Sequence, residues 1–147
     1  MLLNKTKISE QEGYIVFAQA KNFFSRFLKK GYSHVYYIFN DGFNWCAIEP
    51  INSRLVVNIL PYMPDDNVIE KVKRLSHVSH VIKIKTKIDC DNMMNRNPFF
   101  MLNCVNIIKY LCGIKCWCIT PYQLYRFFAR QIYTNKYNYG IDSLSIV

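Results

Sequence analysis

The sequence predicts an α+β fold in which an antiparallel sheet packs on helices. Strand-like runs flank an Asp41-Gly42 dipeptide, and residues 80–88 alternate between apolar side chains and lysines. Two later segments combine helical spacing of apolar residues with helix-start signals. With 147 residues, of which 51% are hydrophobic, the chain is long and apolar enough to form a core.

Four strands are predicted in the first half of the chain. Residues 14–18 (YIVFA) form the first, and residues 21–31 are expected to be a short helix or a surface loop. An Asp-Gly pair between two strand-like runs is a strong hairpin signal, so residues 33–50 are predicted to form a hairpin. Residues 53–60 then extend an antiparallel meander.

The middle of the chain is predicted to contain a helix and then a strand with one solvated face. The helix begins at Pro64-Asp65-Asp66, with an aspartate as its N-cap. Its buried stripe comprises Val68, Ile69, Val72 and Leu75. The strand has one face with Ile82, Ile84, Thr86 and Ile88 and another with Lys83, Lys85 and Lys87. Such a lysine row can bind an anion, but it is more often a solvated face or edge protection.

Two helices are predicted in the last third, after a loop at 90–98. The first has apolar residues at helical spacing and ends near Gly113, a residue type suited to a helix C-terminus. Its stripe comprises Cys104, Ile107, Ile108 and Leu111. The second begins with Thr120 as N-cap and Pro121 at the first helical position.

Composition and net charge indicate the expected location of the protein and its expected partners. The formal net charge of +9 favours phosphates, nucleic acid or acidic surfaces as partners. No apolar run reaches the roughly 18 residues of a membrane span, and residues 1–13 lack a signal-peptide core, so the cytoplasm or a particle assembled there is expected. One domain is predicted over residues 1–130, followed by a tail over 131–147 that is suited to docking on a neighbouring subunit.

Cys104 is the strongest nucleophile candidate among the six cysteines, which are expected to be reduced thiols. It lies in the first turn of its helix, where backbone N–H groups and the helix dipole stabilise a thiolate and lower the thiol pKa. Cys112, near the other end of the helix, experiences the opposite influence. The buried stripe also suits an inert core cysteine, so position alone leaves both interpretations open.

His34 and Glu49 are the candidate base and its orienting carboxylate. His34 begins the strand-like run HVYYIF, where a polar group is otherwise absent. If Asp41-Gly42 forms a two-residue turn, His34 lies directly opposite Glu49 on the same face of the hairpin. A carboxylate there would fix the imidazole tautomer and support its charged form. A structural cross-strand pair fits the same register.

Four short motifs follow one another along the chain. They are a Gly-aromatic-x-His strand at 31–34, a Trp-x-x-(I/V)-(D/E)-Pro strand at 45–50, a Cys-Val-x-x-(I/V)-Lys helix at 104–109 with a loosely matched Leu-Gly end, and a Thr-Pro-x-x-Leu-Tyr helix at 120–125. This order resembles the circularly permuted papain-like (NlpC/P60-type) superfamily, especially short members from bacterial and phage genomes. Asn103 before Cys104 is similar to the asparagine that precedes the nucleophile in lecithin:retinol acyltransferase-like proteins.

The resemblance, which covers roughly residues 13–130, implies an antiparallel sheet packed against the nucleophile helix. It implies Cys104 as nucleophile, His34 as base and Glu49 as orienting group in a cysteine hydrolase or acyltransferase that cleaves an amide or ester through a thioester. Cell-wall peptides or lipid-linked acyl groups are the substrates that it suggests in a phage or bacterial setting. Papain-like folds also persist without turnover, so the alternative is a non-catalytic virion or assembly protein that docks through its tail.

Two further functions have weaker support in the sequence. Cys112, Cys116 and Cys118 could bind zinc with His77 or His80, but Cys116-x-Cys118 is a cramped spacing and no second ligand pair follows. Nucleic-acid binding rests only on charge and interleaved aromatic residues, since no segment matches a known recognition module. No metal or cofactor is therefore expected.

Overall fold

One antiparallel sheet of six strands is the centre of the computed structural model, which describes residues 9–21, 23–51, 54–88, 103–137 and 141–147. The strands are β1 (Ser9–Ala18), β2 (His34–Asn40), β3 (Trp45–Ile51), β4 (Arg54–Ile59), β5 (Val78–Ile88) and β6 (Ile141–Ile146). Their order in the sheet is β4-β3-β2-β1-β5-β6, and every neighbouring pair is antiparallel. The predicted meander corresponds to β2, β3 and β4.

Three α-helices accompany the sheet in the described part of the chain, together with a short 3-10 helix at Phe23–Phe27. They are α1 (Val68–Lys73), α2 (Cys104–Leu111) and α3 (Pro121–Thr134). Thr120 caps α3 as predicted, and its hydroxyl and Gln123 form a reciprocal capping box. The N-cap of α1 was predicted wrongly: Asn67 accepts from the Glu70 N–H, while the Asp66 carboxylate accepts from the Met63 N–H in the preceding turn.

Helices pack on both faces of the sheet, and the two faces have separate cores. On the face that is covered by α2 and α3, the buried residues include Ile15, Phe17, Val35, Tyr37, Ile82, Ile84, Val105, Ile108, Leu124 and Phe128. On the opposite face, α1 packs on Val16, Ile38, Trp45, Ala47 and Val81. The residues of β5 alternate as predicted: Ile82, Ile84 and Thr86 are buried, whereas Lys83 and Lys85 form ion pairs with Glu12.

The C-terminal segment belongs to the sheet. The predicted boundary after residue 130 falls inside α3, and β6 pairs with β5 as an edge strand. Ile141 and Leu144 are buried in the same core as α2 and α3. The residues that were predicted to be a docking arm therefore pack, where described, on the protein's own sheet.

The α+β class and the antiparallel sheet were predicted correctly from the sequence. No helix in the described ranges is long and apolar enough to cross a membrane. The predicted loop at 90–98 lies outside the described residues.

Candidate functional site

The loop between β2 and β3 sets the register of the candidate base and carboxylate. It comprises four residues, 41–44, because the Asp41 carboxylate accepts hydrogen bonds from the backbone N–H groups of Phe43 (2.8 Å) and Asn44 (2.6 Å). Gly42, with φ of 96°, supplies the left-handed conformation within this loop. The predicted two-residue turn at Asp41-Gly42 is therefore wrong, and the strands pair with Asn40 opposite Trp45.

His34 and Glu49 share a face of the sheet, although the longer loop moves them out of direct opposition. Extending the observed register by one position places Tyr36, not His34, opposite Glu49. The shift is two residues, and side chains alternate with a period of two, so the predicted common face is retained. His34 reaches Glu49 diagonally, with 3.2 Å between the imidazole Nε2 and the carboxylate Oε2.

The Glu49 carboxylate is held from a second side. The Asn58 side-chain amide on β4 donates to the other carboxylate oxygen, Oε1, over 3.3 Å. The Tyr36 ring stacks beside the imidazole of His34 at 5.9 Å between centroids, and burial together with the Glu49 charge raises the pKa of Tyr36 to about 12. Because an ionised carboxylate only accepts, Nε2 of His34 carries the hydrogen, and Nδ1 is left as the basic nitrogen.

Sequence reasoning missed Asn58 and Tyr36. The available signal for Asn58 was its place as the polar residue in the otherwise apolar run LVVNIL. The signal for Tyr36 was its spacing of two from His34 on one strand.

The His34–Glu49 pair is expected to contribute measurable coupling to stability. Both side chains are about three-quarters buried, with relative exposures of 23% and 26%, so solvent screens their attraction only in part. A double-mutant cycle of His34→Ala and Glu49→Ala, measured by urea denaturation, should give a coupling free energy of about 1 kcal/mol. The more exposed Lys71–Asp66 pair is the control and should give almost none. Equal coupling in the two pairs would contradict the geometry.

The start of β2 is paired on one side only. β2 pairs with β1 from His34 onwards, but its pairing with β3 begins at Tyr37 opposite Ile48. Extending that register by two positions places Pro50 opposite Val35, and a proline has no N–H to donate to the ladder. Because the described pairing of β2 with β3 starts only at Tyr37, the backbone at Val35 is open on the side of β3; the missing Pro50 N–H accounts for the Val35 carbonyl and not for its N–H.

Cys104 lies at this open backbone. It is the first residue of α2, and Asn103 caps the helix by accepting from the Asn106 N–H at 2.8 Å. The thiol is within hydrogen-bonding reach of the Val35 N–H and of the N–H groups of Cys104 and Val105, all of which favour the thiolate. Its predicted position in the first turn of its helix is confirmed.

The predicted lowering of the Cys104 pKa is wrong in net direction. Burial of the thiol raises the pKa above its ordinary value, and this effect exceeds the stabilisation from the three backbone N–H groups. Burial raises the pKa of the fully enclosed Cys112 further, to about 12. Cys104 is half-buried, whereas Cys112 is only 2% exposed, so Cys104 remains the more accessible of the two thiols on α2.

The structure brings His34 and Glu49 together and places Cys104 beside the peptide that follows His34. Val35 faces the core under α2, whereas Tyr36 packs in the core under α1, so by strand alternation the His34 ring projects on the α1 face. Among the described residues, no hydrogen bond or ion pair joins the Cys104 sulfur to the His34 ring. The three predicted site residues therefore adjoin one stretch of backbone, and the sulfur and imidazole approach it from different sides.

The other histidines and cysteines do not form a metal site in the described part of the chain. His80 Nδ1 is 2.7 Å from the Tyr32 hydroxyl, and its ring lies against Tyr32 and Tyr125. Cys116 and Cys118 interact with each other through their side chains in the connector between α2 and α3.

Comparisons of the chain with protein-family models, with curated proteins and with solved structures gave no match. Geometry and chemistry of the described residues therefore carry the functional assignment.

Proposed function

We propose that the protein is a cysteine hydrolase or acyltransferase that forms a thioester on Cys104, with His34 as base and Glu49 as orienting carboxylate. One observation carries the proposal: the Cys104 thiol is within hydrogen-bonding reach of the Val35 N–H, and the neighbouring residue His34 has its imidazole bound to the Glu49 carboxylate. A nucleophile, a base and an orienting group are the minimum set for this chemistry.

The order of the elements supports the permuted papain-like assignment. The histidine begins β2, the carboxylate lies on β3, and the cysteine begins a later helix that packs on the sheet. This is the arrangement that the sequence resemblance implies. The carboxylate of Glu49 has the added support of Asn58, which leaves Oε2 for the imidazole.

Because burial raises the pKa of the Cys104 thiol, the proposed mechanism uses general-base activation rather than a standing thiolate–imidazolium pair. Nδ1 of His34 takes the thiol proton as the sulfur attacks the amide or ester carbonyl, and the imidazolium then protonates the leaving amine or alcohol. Water or an acceptor attacks the thioester, releasing the acyl group and restoring the thiol. Because the His34 ring projects on the α1 face and the Cys104 sulfur lies on the other side of the β2 backbone, this transfer requires the imidazole to turn past the start of β2 in the substrate complex.

Negative charge on the carbonyl oxygen would develop near the N-terminus of α2. The backbone N–H groups of Cys104 and Val105 that favour a thiolate are donors of the type used in oxyanion holes. Asn103 keeps them in place by capping the helix.

The rate at which iodoacetamide alkylates Cys104 is expected to rise at higher pH in the folded protein than in the protein unfolded by urea. The thiolate is the reacting species, and burial raises the pKa of Cys104, so less thiolate is present in the folded protein at any pH below that value. Peptide mapping at several pH values measures this for each cysteine. Cys112, with a pKa of about 12, is the control and should react more slowly still. A folded-state profile for Cys104 that matches or precedes the profile in urea would contradict this.

A second candidate function is a non-catalytic structural protein of a virion or another assembly. Two observations favour it: the raised pKa of Cys104 and the projection of the His34 ring on the α1 face. Acylation of Cys104 by an activated ester, with dependence on His34, separates the two candidates. A folded protein that is never acylated supports the structural function.

A further inference from the structure

The helical layer carries only positive formal charge. Residues 103–137, which comprise α2, α3 and their connector, contain five cationic side chains and no acidic one. The cations are Lys109, Lys115, Arg126, Arg130 and Lys136. The chain's ten acidic residues all lie elsewhere, so this layer is a positive region of a protein with net charge +9.

The solvent-exposed side of α3 concentrates part of this charge in a line. Gln123, Arg126, Arg130 and Tyr133 follow one another at helical spacings of three and four, and all four are exposed. Tyr133 is 92% exposed. From Gln123 to Tyr133 the line extends along about 15 Å of helix.

Two exposed apolar side chains stand at the start of this line. Trp117 is fully exposed and Ile119 is 73% exposed in the connector that leads into α3. The Gln123 side-chain oxygen accepts from the backbone N–H groups of Ile119 (2.9 Å) and Thr120 (3.2 Å), which fixes this end of the connector to the exposed side of α3. Ile119 therefore adjoins the Gln123 end of the line, and Trp117 lies two residues before it.

We propose that this docking surface, formed by Trp117, Ile119, Arg126, Arg130 and Tyr133, binds an anionic phospholipid bilayer. Indole and phenol rings prefer the membrane–water interface, and an exposed isoleucine gains by entering the acyl boundary. The arginines would lie at the level of the lipid phosphates and carboxylates, where each basic residue adds attraction. The surface is independent of the chemistry that is proposed for Cys104.

Charge complementarity alone would also fit a nucleic acid, but the apolar pair favours the bilayer. Bases stack on aromatic rings and arginine, and an isoleucine offers no such platform. A neighbouring tryptophan and isoleucine at the tip of a connector match partial insertion into an interface.

Vesicle sedimentation with the full chain tests the proposal. We expect binding to phosphatidylcholine vesicles that contain about one third phosphatidylserine and much weaker binding to phosphatidylcholine alone. Trp117→Ala with Ile119→Ser, and separately Arg126→Glu with Arg130→Glu, should each weaken binding at least about tenfold. Emission from Trp117 should shift to the blue on binding, while Trp45, at 8% exposure, gives a constant background.

Matched variants elsewhere on the surface provide the controls. Phe43→Ser changes another exposed apolar side chain, and Lys21→Glu with Arg54→Glu makes the same change in net charge on other exposed residues. Both should bind anionic vesicles within about twofold of the wild type. Equal loss in control and docking-surface variants would overturn the proposal, as would the absence of vesicle binding. Binding to a single-stranded RNA oligonucleotide, lost in Arg126→Glu with Arg130→Glu but not in Ile119→Ser, would overturn it in favour of a nucleic-acid surface.

Discussion

Replacing Cys104 with alanine is expected to abolish acyl-enzyme formation with an activated ester such as p-nitrophenyl acetate. In the wild type, the sulfur should attack the acetyl carbonyl and release p-nitrophenol, leaving an acetyl thioester that mass spectrometry locates on Cys104. His34→Ala should retain the sulfur but slow acylation by about 10²–10⁴-fold, because the thiol then has no base. Burst amplitude and the acetylated peptide are the two readouts.

Cys116→Ala is the matched control for that experiment. Cys116 is also a half-buried thiol, and it lies in the connector rather than at the start of a helix. The Cys116→Ala protein should be acylated on Cys104 at the wild-type rate. Acetylation at several cysteines with similar rates, or none in a protein that remains folded, would contradict the assignment of Cys104 as the nucleophile.

Phe128→Ala is expected to cost about 3–5 kcal/mol of the free energy of unfolding. Phe128 has no exposed surface and belongs to the core between α3 and the sheet. A loss of this size is a large part of the roughly 5–15 kcal/mol that stabilises a typical domain, so partial unfolding near 37 °C would follow. Urea denaturation monitored by circular dichroism measures the change.

Phe43→Ala controls for the loss of an aromatic ring as such. Phe43 is 80% exposed in the β2–β3 loop, and its replacement should change stability by less than about 0.5 kcal/mol. A loss of under about 1 kcal/mol for Phe128→Ala would mean that α3 is not packed on the sheet as described.

The hairpin illustrates how far local sequence signals determine a site. The runs on either side of Asp41-Gly42 predicted β2 and β3 correctly. Their register depended on where the turn falls: the Asp41 N–H donates to the Asn44 carbonyl, and the Asp41 carboxylate accepts from the N–H groups of Phe43 and Asn44, which centres the turn on Gly42-Phe43. The observed register differs from the predicted one by two residues, which keeps His34 and Glu49 on one face of the sheet. The predicted pair is therefore present, although the register used to predict it was incorrect.

The C-terminal strand could not be recognised because its burial does not alternate. Ile141 and Leu144 are both buried although three positions separate them. The register of β6 against β5 shifts between Lys85 and Thr86, and this irregularity brings both side chains to the same core. A period-two pattern is therefore absent from residues 141–146.

The thiol pKa of Cys104 depended on a competition that the sequence does not resolve. Helix position predicted the backbone N–H groups that favour the thiolate, and the structure places them there. Burial under the surrounding core raises the pKa by more than those groups lower it, and burial arises from tertiary packing. The contact between the Cys104 thiol and the Val35 N–H could not be predicted either, because it depends on where β2 stops pairing with β3.

A crystal structure of the protein with Cys104 acylated or alkylated by a substrate-like ketone would measure the central distance directly. We expect Nδ1 of His34 within hydrogen-bonding reach of the sulfur, either directly or through one bridging water, with Nε2 still bound to Glu49. An imidazole that stays against Tyr36, separated from the modified sulfur by the β2 backbone, would contradict the proposed catalytic group and leave the pair with a structural role.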